Sequence, residues 1–60
     1  MKIGDKIRIK FHGHPEQWAT TGTVTAVLGE GVVTATIDDP LHPLYRAEDY
    51  WIAPSNYEAV

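Results

Sequence analysis

Apolar and polar residues alternate along most of this 60-residue chain. Over residues 5–11 the odd positions include Ile7, Ile9 and Phe11, and the even ones are Lys6, Arg8 and Lys10. Side chains of a strand point alternately to its two faces, so this run predicts a strand with one buried face and one basic, solvated face. Residues 22–28 are rich in β-branched side chains and predict a second strand, with Val24, Ala26 and Leu28 sharing a face. Residues 32–38 repeat the theme, with Val33, Ala35 and Ile37 on one side and Thr34, Thr36 and Asp38 on the other. Gly29-Glu30-Gly31 lies between these two runs, and a short glycine-containing link of this kind predicts a β-hairpin.

After Asp38 the alternation stops. Asp38-Asp39-Pro40 is a turn signal, because aspartate side chains bond nearby backbone and proline fixes φ. Residues 50–53 predict a short fourth strand, Pro54-Ser55-Asn56 one 3₁₀ turn, and residues 57–60 a fifth strand. No run of ten residues has helical spacing. The pattern therefore predicts one all-β domain over residues 1–60, of about five antiparallel strands closed into a small barrel. Its core has to house Ile7, Ile9, Val24, Leu28, Val33 and Ile37.

Composition narrows the picture. There is no cysteine, which removes disulfides and cysteine-based zinc sites. No apolar run approaches the roughly 20 residues of a membrane helix, and Lys2, Lys6, Arg8 and Lys10 leave no apolar segment for a secretory signal. A cytoplasmic domain without a membrane partner is the expectation.

The order of signals resembles the SH3-like barrel superfamily. Ile3-Gly4-Asp5-Lys6-Ile7-Arg8-Ile9 is similar to the opening shared by KOW-type translation modules and peptide-binding SH3 domains. Gly22-Thr23-Val24 resembles the start of the next strand in KOW-like barrels, and Pro54-Ser55-Asn56-Tyr57 the 3₁₀ segment before the last strand of peptide-binding SH3 domains. The resemblance implies a small SH3-like barrel. It also implies that Pro54, Asn56 and Tyr57 line a groove for polyproline II ligands, where flat rings form slots and an amide donates to a ligand carbonyl. The alternative for these three is structural: Pro54 and Asn56 shape a turn and Tyr57 caps the core. The aromatic opening and the paired tryptophans of peptide-binding SH3 domains are absent, since Trp18 and Trp51 stand apart.

The aromatic set carries the most functional information. Phe11, Trp18, Tyr45, Tyr50, Trp51 and Tyr57 exceed what so small a core can hold, at roughly 150–250 Å² buried each. Tyr50 and Trp51 are neighbours on a strand and must point to opposite faces. Trp18 sits in a predicted loop, where it is either a lid on one barrel mouth or a ligand contact. Exposed Trp and Tyr are common anchors of protein interfaces. Trp18, Tyr45, Tyr50, Trp51, Pro54, Asn56 and Tyr57 are accordingly the candidate partner-binding residues. They suit a non-enzymatic module that binds a protein or peptide, or a second copy of itself. Glu48 and Asp49 would steer a basic partner.

Lys6, Arg8 and Lys10 are candidate nucleic-acid contacts, because a cationic stripe neutralises phosphates. The net charge of −3 opposes that reading at long range. Lysines on a strand face also serve simply to keep it solvated and unpaired. His12, His14 and His42, with Glu16, have the right chemistry for zinc but no established spacing, so loop histidines and no metal or other cofactor are expected. The single serine, Ser55, lies in the turn segment, and no phosphate-cradling glycine loop is present, so no catalytic residue is assigned.

Overall fold

The computed structural model describes residues 1–11, 13, 15–45 and 48–60. Among these it contains five strands, two 3₁₀ turns and no α-helix. The strands are β1 (Lys6–Ile9), β2 (Thr20–Gly29), β3 (Val32–Ile37), β4 (Tyr50–Ile52) and β5 (Tyr57–Ala59). All neighbours are antiparallel, in the order β4-β3-β2-β1-β5.

The hairpin forms where the glycines predict it. Gly29 pairs with Val32, so Glu30 and Gly31 make a two-residue turn. Their φ values are 55° and 81°. A tight hairpin of type I′ requires positive φ at both central positions, which is strained for Glu30 and natural for Gly31.

The core is aliphatic. Ile7, Ile9, Val24, Val33, Ala35, Ile37 and Ile52 are buried, with Phe11, Leu44, Tyr50 and Tyr57 packed at its margin. Gly22 is buried at its centre because nothing larger fits: a β-carbon there would sit 2.6 Å from Ile9 Cδ1 and 2.7 Å from the Thr36 carbonyl oxygen.

Three expectations need correction. The predicted shared face of Val24, Ala26 and Leu28 is broken by bulges. Ala26 pairs with Thr34 and Val27 with Val33, so Thr25 and Leu28 are extra residues on β2. Each extra residue reverses the facing of the residues after it. Leu28 therefore lies outside the core, 46% exposed. Thr34, on the face opposite Val33, Ala35 and Ile37, is also buried; its hydroxyl shares a 2.7 Å hydrogen bond with that of Thr25.

The second correction concerns β1, which ends at Ile9 rather than at residue 11. Beyond it, the Lys10 N–H donates to the Asn56 carbonyl at 2.7 Å, so the chain is held by the 3₁₀ turn instead of β2.

The third concerns closure. The sheet curls into a half-barrel, and among the described residues β4 and β5 form no ladder with one another. Each has three residues, and the 3₁₀ turn Pro54–Asn56 carries the chain between them.

Candidate functional site

The gap left between β4 and the end of β1 is a groove of about 300 Å³. Ile9 and Ile52, both buried, lie at its base. Tyr50 and Trp51 of β4 line it on one side, with Phe11, Lys10, Leu44 and Asn56 completing it. Three of the candidate partner-binding residues thus share one site: Tyr50, Trp51 and Asn56.

Alternation along β4 sets the two aromatics apart, as the sequence demands. Tyr50 turns toward the core and is half-buried, Ile52 is buried, and Trp51 between them is 77% exposed. The Tyr50 hydroxyl donates to the Leu44 carbonyl, which ties the loop before β4 to the strand itself.

That loop is ordered by successive turns. The Asp39 carboxylate accepts the Leu41 N–H at 2.9 Å, and the Asp39 carbonyl accepts the His42 N–H at 3.1 Å. The Tyr45 N–H then donates to the His42 carbonyl at 2.9 Å. His42 is the hub. Its Nδ1 accepts the Leu44 N–H at 3.0 Å, which leaves Nε2 as the protonated nitrogen, donating to the Trp18 carbonyl at 2.5 Å. The His42 ring lies 5.3 Å from that of Phe11 and 6.2 Å from that of Trp18, and Phe11 meets Tyr50 edge-on at 6.2 Å. A continuous row, Trp18–His42–Phe11–Tyr50, therefore runs up to the groove. Trp18 itself is half-buried at the end of the 3₁₀ turn Glu16–Trp18.

The remaining candidates lie elsewhere. Tyr45 follows Leu44 and is 44% exposed. The Tyr57 hydroxyl donates to the Gly31 carbonyl at 2.6 Å. The Pro54 ring packs so closely on Gly31 that a β-carbon there would meet Pro54 Cβ at 3.0 Å. Pro54 and Tyr57 thus brace the β2–β3 hairpin tip, while Asn56 faces the groove.

The basic stripe exists, and two acids answer it, Asp38 just after β3 and Glu58 on β5. Lys6 Nζ lies 3.1 Å from Asp38 and donates to Thr23 Oγ1 at 2.6 Å, while Thr23 donates to Asp38 at 2.7 Å. Glu58 of β5 takes both Lys10, at 3.5 Å, and Arg8, at 4.0 Å. The cross-strand register places Arg8 directly opposite Glu58.

Three contributors are not legible as site residues in the sequence. Phe11 reads there as a core residue, Leu44 carries no periodic signal, and His42 reads only as a metal ligand or loop residue. The turn signal at Asp38-Asp39-Pro40 marks their loop but not the direction in which it folds. His12 and His14 lie outside the described residues. Among the described residues, no helix is long and apolar enough to cross a membrane. No protein-family model, curated protein or solved structure matches the chain.

Proposed function

We propose that the chain is a non-enzymatic interaction module of the SH3-like barrel class, working in the cytoplasm, that holds a partner protein in the groove between β4 and β1. The five-stranded curled sheet and the 3₁₀ turn before β5 support the fold class. The observation that carries the function is Trp51, a large ring left 77% exposed beside an apolar groove. An aromatic in that position contributes most of its burial only when something covers it. Pairing of Lys6, Arg8 and Lys10 with Asp38 and Glu58 leaves less cationic charge for phosphates, which favours a protein over a nucleic acid.

The test is capture from source-cell lysate on the immobilised chain, with and without nuclease. Retention of a stoichiometric protein after nuclease is expected. Loss of all bound material on nuclease treatment would overturn the reading and return the basic strand face as the binding surface.

A further inference from the structure

We propose that His42 is a proton-operated latch: as a neutral ring it fastens the loop before β4, and as a charged ring it releases Leu44 while staying bound to the turn that ends at Trp18. Such a latch acts on the loop whatever the groove holds.

The two ring nitrogens do different work. Nδ1 accepts the Leu44 N–H at 3.0 Å, and Nε2 donates to the Trp18 carbonyl at 2.5 Å. Only a neutral imidazole with its proton on Nε2 makes both bonds. The contact with Leu44 spans two residues, as does the one in which the Asp39 carboxylate accepts the Leu41 N–H in the same loop. Each closes a turn through a side-chain acceptor. They differ in what a proton does to that acceptor. A carboxylate ordinarily stays an acceptor between about pH 5 and 8, the range in which an imidazole changes charge. A proton added at Nδ1 turns the acceptor into a donor facing the Leu44 N–H, and that bond is lost.

The other side of the ring responds in the opposite sense. A charged ring donates more strongly from Nε2 to the Trp18 carbonyl, and the Phe11 ring, at 5.3 Å, attracts a cation. Loss at Leu44 is thus offset by gain at Trp18 and Phe11, so the proton changes which contact the ring keeps and not the stability of the sheet. Leu44 lines the groove and its carbonyl receives the Tyr50 hydroxyl, so freeing its N–H loosens one wall of the groove. Several charged or titratable residues belong to the elements around the ring. Asp39 and Tyr45 are in its own loop, Glu16 is on the 3₁₀ turn with Trp18, Lys10 precedes Phe11, and Glu48 and Asp49 precede Tyr50 on β4. Among the described residues none of these forms an ion pair with the imidazole.

The experiment follows the full chain by NMR from pH 8 downward. It reads the His42 ring nitrogens and the protection of the Leu44 amide, corrected for the intrinsic pH dependence of exchange. At pH 8 the ring should carry a proton on Nε2 alone. As it takes up the second proton, Leu44 protection should fall about threefold to tenfold, the worth of one hydrogen bond, while amides of the β2–β3 ladder keep theirs. In His42→Asn the side-chain oxygen can accept the same N–H two residues on and does not titrate, so Leu44 protection should not vary with pH. His12 and His14 are present in both chains, so their titration cancels in the comparison. A proton on Nδ1 at pH 8, Leu44 protection unchanged across protonation of the ring, or a pH response that persists in His42→Asn would each overturn the latch. Loss of protection at Leu44 and in the ladder together would overturn it too, since acid would then be unfolding the whole domain. The titration of the unsubstituted chain decides the matter even if His42→Asn fails to fold.

Discussion

Gly22 illustrates how much one residue decides in a domain this small. A chain of this length has a total stability of about 3–9 kcal/mol. The missing β-carbon lets β3 and Ile9 approach as they do. Gly22→Ala forces either the Ile9 side chain or the Thr36 backbone to move, and the backbone has little freedom to do so. The substitution should cost about 3 kcal/mol, the upper range for overpacking, read as a drop in the urea midpoint. Gly22 is legible in sequence only as part of a motif at a strand start, because the need for a bare α-carbon comes from the approach of another strand. The opposite case is Trp51. Its alternation with Tyr50 is legible outright, since neighbours on a strand cannot share a face. Which of the two faces outward is not, because both residues are large and amphipathic; the register that sets Tyr50 opposite Ala35 and Ile52 opposite Val33, both in the core, settles it.

At the scale of elements, periodicity locates β1, β2 and β3, and the bulges in β2 defeat the assignment of faces. An extra residue such as Thr25 leaves no mark in an alternating β-branched run, so Leu28 is expected inside and lies outside. The loop before β4 is the other gap. Its geometry depends on His42 bridging the Trp18 carbonyl and the Leu44 N–H, a pair of contacts 24 and 2 residues away in sequence. His42→Ala removes both. It should destabilise the chain by about 1–2 kcal/mol and raise the amide exchange rate at Leu44, while amides of the β2–β3 ladder follow only the global stability. Unchanged exchange at Leu44 would show that the turns hold the loop without the imidazole. Because Leu44 lines the groove and its carbonyl receives the Tyr50 hydroxyl, the same substitution should weaken partner binding.

The whole molecule joins a small aliphatic core to an incompletely closed sheet. Its radius of gyration is 10.4 Å, as expected of a fully collapsed domain of this size. The opening is therefore a local feature of the β4 edge and not a sign of loose packing. The strand face that is basic in sequence is answered in part, by two carboxylates, Asp38 and Glu58, for three cations. The pairing of Lys6 with Asp38, 32 residues apart, needs the three-dimensional register and is invisible in the alternation of β1. The central claim is that the groove, and not the basic face, carries recognition. It is tested most directly by comparing nuclease-resistant capture on Trp51→Ala with capture on Lys6→Gln/Lys10→Gln, amides being used because new carboxylates would face Asp38 and Glu58. Both variants should keep the fold to within about 1 kcal/mol. Trp51→Ala should lose the captured protein and the double variant should keep it; loss on the double variant with retention on Trp51→Ala would contradict recognition by the groove.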